Sequence, residues 1–327
     1  MKKLIIGLCA ATALAVVAGP AFAKDPIEVA VIVKATNSEF WQAVLVGARN
    51  YAKEHPADVT VTTNGPPAEA DIAKQVSILE DTVSRGPKGI VISSTSSEAT
   101  VPAIENAMSK GIPVVTIDNR VKTDKVASFL ATDNVAGGKL AAKQLTEQLK
   151  AMGKPLKGKV ALISSMAGVQ VLIDRDNGFE AGLKQFAPDL VLLKPRYVNN
   201  DIFNAVNTAQ DLVLSNPDLV GVFADNNTTG SGVAKVLTET GKKDSIVAIA
   251  FDSDPQEVEA LRSGALKALV VQDPYGMGYK GVDSIVRALA GEKLPAYVDT
   301  GANVVTKANM DEANYKNLLD PLSRAIK

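Results

Sequence analysis

Short β-branched runs alternate with longer amphipathic stretches from Pro26 onward, and that rhythm leaves few folds open. The strand candidates are residues 27–33 (IEVAVIV), 59–63, 89–93, 113–117 (PVVTI), 159–164, 190–193, 220–224 (VGVFA), 246–251 (IVAIAF) and 267–271. Between them lie stretches with helical periodicity, among them 40–53, 70–83, 135–150, 201–214, 229–240 and 255–262. This alternation predicts βαβ units. Runs such as VVTI and VAIAF are apolar or β-branched at every position, as expected of parallel strands covered by helices on both faces. The expected class is therefore α/β with doubly wound parallel sheets. One core seldom grows past roughly 250–300 residues, and the chain has 327, so two domains are expected. No Pro/Ser-rich linker separates them, so ordinary ordered chain must cross the joint, at 126–130 and again near 271–274. Residues 297–306 read as extended chain, followed by a polar tail of helical character.

The N-terminus directs the chain out of the cytoplasm. Lys2 and Lys3, an uncharged stretch from Leu4 to Val17 and the small-residue pattern Ala21-Phe22-Ala23 together make a secretory signal peptide over residues 1–23. Cleavage there removes the single cysteine, Cys9, so disulfides cannot contribute and stability must come from packed cores. A formal net charge of −1 with no basic block gives nucleic-acid binding no support. His55 is the sole histidine, which leaves neither a usual zinc site nor a Ser-His-Asp triad. Gly137-Gly138 and the glycines of TTGSG do not form a phosphate-cradling pattern. Residues 252–257 (DSDPQE) lack the glycine and later acid of a calcium loop and read as a strand end with a helix cap. No cofactor is implied.

In open α/β sheets, ligands bind at the carboxyl ends of the strands. Here those positions are polar: Lys34, Thr36, Asn37 and Ser38 after the first strand, Asp118, Asn119 and Arg120 after 113–117, Asp225, Asn226 and Asn227 after 220–224, then Asp252, and Gln272 with Asp273. Carboxylates, carboxamides and cations together accept from and donate to neutral hydroxyls, and Phe40 with Trp41 offers apolar area for the C–H face of a sugar. Each polar position also suits a helix cap or turn, and the two rings also suit a core. Recurrence at several strand ends favours a site for a polyhydroxylated ligand.

The motifs TNSEFW (36–41), TIDN (116–119), ATDNVAGG (131–138), DRDNGF (174–179), SNPDLVGVFADNN (215–227), AFDSDP (250–255) and VVQDP (270–274) together resemble those of periplasmic sugar-binding proteins of the ribose-binding type, the substrate-capturing components of ABC importers. The resemblance covers about Ile27 to Thr306. It implies two doubly wound domains joined by three crossings and closing on one sugar at the hinge, the periplasmic-binding-protein-like fold. The implied lobes are residues 24–131 plus 273–303 and residues 132–272 plus 304–327.

It further implies that Ser38, with Asn37 adjacent, hydrogen-bonds the ligand. Phe40 and Trp41 would pack on its ring, Asp118 take two hydroxyls and Arg175 donate from the second lobe. Asn226, Asp252 and Gln272 would supply the remaining polar contacts. Departures bear on which sugar is bound. Asn119 stands where the ribose type has arginine. Asn200 stands where it has a third aromatic, leaving one ring face open unless Tyr197 or Phe203 moves in. Lys34 is similar to the sugar-reaching lysine of the allose-binding branch, and Glu39 replaces a proline. Implied partners are a monosaccharide or polyol and a membrane permease, with a chemoreceptor or sensor kinase as an alternative audience for the closed form; a monomer without catalysis is expected. A sugar-responsive repressor would carry a DNA-binding helix-turn-helix where the export signal lies, and for a secreted glycosidase no specific carboxylate pair stands out.

Overall fold

The computed structural model describes residues 25–326, so the expected signal peptide, with Cys9, lies outside the described residues. In chain order come β1 (Ile27–Ile32), α1 (Glu39–Glu54), β2 (Val59–Asn64), α2 (Ile72–Arg85), β3 (Gly89–Ile92), α3 (Val101–Ser109), β4 (Val114–Ile117) and β5 (Ser128–Ala131). There follow α4 (Asn134–Ala151), β6 (Gly158–Ser164), α5 (Gln170–Phe186), β7 (Leu190–Leu192), β8 (Arg196–Tyr197), α6 (Ile202–Ser215), β9 (Leu219–Ala224), α7 (Asn227–Glu239), β10 (Val247–Phe251), α8 (Pro255–Ser263) and β11 (Ala268–Val271). The chain ends with α9 (Pro274–Leu289), β12 (Tyr297–Asp299), β13 (Asn303–Thr306), α10 (Ala313–Leu319) and a 3₁₀ turn at Pro321–Arg324.

Two sheets organise these elements. The first has six strands in the order β12-β5-β4-β3-β1-β2, every pair parallel. The second has seven, β13-β11-β10-β9-β6-β7 with β8 also on β6, and only the β13–β11 pair is antiparallel. Each sheet is covered on both faces, which is why β3, β4, β10 and β11 are buried at every position. In the first lobe α1 and α9 pack on one face and α2 and α3 on the other; in the second, α4 and α5 oppose α6, α7 and α8.

The chain passes between the sheets after β5, before α9 and between β12 and β13. The segment expected as the first crossing is itself β5, and the passage follows it. There the Thr132 hydroxyl donates to the Gly301 carbonyl at 3.0 Å, tying two crossings together. The tail, expected wholly with the second lobe, divides. Leu318 and Leu319 pack on the second lobe's core, whereas Arg324 lies 3.3 Å from the centroid of the Tyr275 ring on the first. Asn50 Nδ2 donates to the Arg324 carbonyl at 2.6 Å, and Ile326 N–H donates to Asn50 Oδ1 at 3.0 Å.

Several polar residues after strands are helix caps, as their type allows. Asp133, Asp201, Asp254 and Asp273 each accept a backbone N–H three residues on. At α7 the cap is Asn226, in a reciprocal pair with Thr229, so Asn227 and Thr228 lie inside the first turn.

Candidate functional site

The strand ends of both sheets meet in the crevice between the lobes. One cavity there is lined by Lys34 after β1, Asp118 after β4, Ser165 after β6, Asn226 after β9, Asp252 after β10 and Gln272 after β11, with Ser38, Phe40, Trp41 and Arg175 from α1 and α5 and their flanks. Its free volume is about 40 Å³, small beside the roughly 150 Å³ of an apolar cavity that holds benzene, so the lobes stand close together around these side chains.

Asp118 and Asp252 occupy corresponding places in the two lobes. Each has a left-handed backbone, with φ of 61° and 79°, a conformation that Asp adopts more readily than most residues. Each donates its N–H to the neighbouring strand, to the carbonyls of Leu130 and Val270, at 2.9 Å. The bend carries both carboxylates off their strands and into the crevice. Asp118 Oδ2 accepts from Lys34 Nζ at 2.6 Å and from the Ser93 hydroxyl at 3.3 Å. Lys34 and Asp118 are 4% and 5% exposed, and the ammonium lies 5.3 Å from the centroid of the Trp41 ring. Asp252 Oδ1 accepts from Gln272 Nε2 at 2.6 Å. Burial holds the Asp252 carboxyl above its usual range, against the opposing pull of Arg175 and Gln272.

Arg175 is fixed before any ligand arrives. Its Nε and Nη2 donate to Asn134 Oδ1 at 3.2 and 2.9 Å, Nη1 donates to the Asp225 carbonyl oxygen, and the guanidinium lies 3.6 Å from the centroid of the Phe251 ring. Asp225 itself is fully buried, accepting from the Ser164 hydroxyl and Ser165 N–H at 2.6 and 2.8 Å. It supports the floor of the site and does not line the cavity. Burial raises its carboxyl and that of neighbouring Asp176.

Phe40 and Trp41 meet edge to face, with ring centroids 4.8 Å apart. They are both core and wall: each joins the first lobe's apolar cluster and each lines the cavity. The opposite wall is aliphatic. Val169, Val171 and Leu172 form a small cluster of their own and face the cavity. Tyr197 and Phe203, considered as substitutes for the missing third ring, are 51% and 77% exposed and do not reach it.

Nine of the twelve expected site residues line this cavity, and Asn37, Asn119 and Asn200 do not. Asn119 is committed elsewhere. Its Nδ2 donates to the Ser94 carbonyl at 2.9 Å, and its Oδ1 accepts the Val171 N–H from the second lobe at 3.2 Å, so it links the lobes. Asn37 and Asn200 line a separate outer chamber; Asn200 Oδ1 accepts from Ser165 and Asn226 at 3.0 and 2.8 Å. Asn226 is both cap and lining residue. Ser38 precedes α1 without a side-chain cap bond, which leaves its hydroxyl for the cavity.

Sequence reasoning missed Glu69, Ser165 and the three aliphatic residues, and it named Asn227 among the polar strand ends without placing it in the expected site; all of them line the cavity. Ser165 was findable, since it follows β6 as the others follow their strands. Glu69 had no such signal, standing in the loop between β2 and α2.

Two lobes presenting hydroxyl-binding side chains and an aromatic face across one crevice define a ligand-capturing protein of the two-lobed type. The chain belongs to the periplasmic binding protein domain family, whose profile matches residues 29–293. It is 30% identical to the ribose import binding protein of Escherichia coli K12 over 309 residues, 94% of this chain and 99% of that protein. It is 29% identical to the D-allose-binding periplasmic protein of the same organism, covering 82% of this chain and 86% of that one. Among solved structures, a carbohydrate transporter solute-binding protein from Agrobacterium radiobacter in complex with D-arabinose superposes with a TM-score of 0.86 at 40% identity, covering 90% of this chain and 99% of that chain. An ABC transporter solute-binding protein from Agrobacterium vitis with bound D-fucose gives 0.83 at 39%, covering 89% and 99%. These relatives are sugar-binding proteins, and three of the four belong to import or transport systems.

Proposed function

We propose that the protein captures a neutral monosaccharide or related polyol by closure of its lobes and presents the closed form to the permease of an ABC importer, in the periplasm after export through residues 1–23, as a monomer. The observation that carries this reading is the convergence of Asp118 and Asp252, one from each lobe and each already engaged by a donor, beside the Trp41 ring and the fixed guanidinium of Arg175. Such groups bind hydroxyls without reacting with them, and a ligand touching both lobes favours the closed population.

A ribose specificity does not carry over from the relatives. The side chain at Asn119 is spent on the link between the lobes, and the wall facing Trp41 is aliphatic. D-Arabinose and D-fucose, the ligands of two structural relatives, head the list of candidates. The test is a thermal-shift screen of the mature protein against pentoses, hexoses, 6-deoxyhexoses, amino sugars and polyols. A ligand at 100 times its Kd adds about 2.7 kcal/mol of stability, an easily read shift. A screen in which no sugar or polyol moves the melting temperature would sink the proposal.

A further inference from the structure

We infer that Glu69 is a ligand-contacting residue and a determinant of specificity, a role that rests on the sugar-binding reading above. Glu69 stands in the loop 65–71 of the first lobe, outside every strand-end motif, yet it lines the inner cavity together with Lys34, Asp118 and Asp252. It also lines the outer chamber, so its carboxyl group stands where the two spaces adjoin. One oxygen, Oε1, accepts from the Trp41 indole N–H at 2.6 Å. This anchors the carboxyl against the ring on which a sugar would pack. No hydrogen bond to the second oxygen occurs among the described residues, and it is not among the sealed, unpartnered polar atoms, so it keeps an accessible accepting site. Burial raises the Glu69 carboxyl, and Lys34 and the indole oppose that shift.

Asp118 and Asp252 already hold partners of their own, Lys34 and Gln272. Glu69 forms no ion pair among the described residues, and its one hydrogen bond, from the indole, leaves accepting capacity on its second oxygen. A ligand hydroxyl directed toward the outer chamber satisfies it, and an anionic sugar is repelled by it. The site therefore reads the presence and position of one donor hydroxyl on a neutral ring.

A mere positioning role, holding the indole in place, is the competing account, and one cycle of variants separates them. Dissociation constants are measured by titration calorimetry for wild type, Glu69→Gln, Trp41→Phe and the double variant, using the sugar that gives the largest thermal shift. Thermal melting checks that each variant is folded. Gln preserves an acceptor for the indole but removes the charge, and a lost hydrogen bond to a charged group weakens binding about tenfold or more. Trp41→Phe removes the indole N–H altogether. If Glu69 touches the ligand, Glu69→Gln weakens binding about tenfold in both backgrounds, and one monodeoxy analogue of the sugar binds wild type and Glu69→Gln alike. An effect of Glu69→Gln that disappears in the Trp41→Phe background, or that is the same for every deoxy analogue, overturns the inference and leaves the sugar-binding reading intact. If wild type binds no sugar, both fall together.

Discussion

Replacing Asp118 by Asn probes the most concentrated electrostatic feature of the protein. Asn keeps the size of the side chain and tolerates the left-handed backbone at φ 61°, so the change is confined to charge. It leaves the Lys34 ammonium, 2.6 Å away and 4% exposed, facing a neutral amide. Breaking one half of a buried pair costs about 3–5 kcal/mol. Both residues belong to the first lobe, and opening of the crevice rehydrates the side facing the ligand, so the lower end, about 3 kcal/mol, is expected. At about 2–4 °C per kcal/mol for a folding unit of 150–250 residues, the midpoint of the ligand-free protein falls by roughly 6–12 °C. Urea denaturation at pH 7 measures the free energy, and calorimetry with the screened sugar measures a parallel loss of affinity of about tenfold or more. Removing both charges, in Lys34→Met with Asp118→Asn, recovers most of the stability but none of the affinity. Asp118→Asn with unchanged stability and affinity would refute the argument, since an ion pair this enclosed cannot lose one member silently.

The remaining predictions concern the supports of the site and the tail. Gly138→Ala places a Cβ against the Arg175 carbonyl and 2.7 Å from Phe179 N where α4 crosses α5; the helices must separate, lowering the midpoint by several degrees and weakening binding through the displaced guanidinium, both readable by melting and calorimetry. Glu257 is fully buried with neither carboxyl oxygen partnered among the described residues, and burial holds its pKa well above the ordinary value. The unfolded chain releases that proton near pH ~4.3, so the group's contribution is most favourable below that pH and declines as pH rises. Glu257→Gln should match wild type near pH ~4 and melt higher at neutral pH and above; equal melting at every pH would contradict this. Arg324→Ala removes the guanidinium stacked on Tyr275 and 3.6 Å from Asp273, and a loss of about 1 kcal/mol or less in urea denaturation is expected.

The positions of β4, β10, β11 and the buried part of β1 are legible from the chain because helices cover both faces of each sheet, so these strands are built of apolar and β-branched residues. The weakest strand, β8, was hidden for the complementary reason, since it has two residues and both are exposed; β12 and β13, partly buried at sheet edges, were legible only as extended chain over 297–306. At the site, Asp118, Asp252 and Gln272 were legible because the carboxyl end of a parallel strand points at the crevice by construction. Asn119 has the same placement one residue later but the opposite fate. The side chain following Asp118 is drawn to Ser94 and Val171 and leaves the cavity.

Composition and periodicity alone settled the α/β class and the reliance on packed cores without disulfides and pointed toward hydroxyl recognition, since each depends on residue type and local spacing. Tertiary structure alone decided that Glu69 joins the site, that aliphatic side chains replace the third ring, and that the tail returns to the first lobe. Those features depend on which distant segments the two sheets bring within a few ångströms of each other, a relation that no local pattern along the chain encodes.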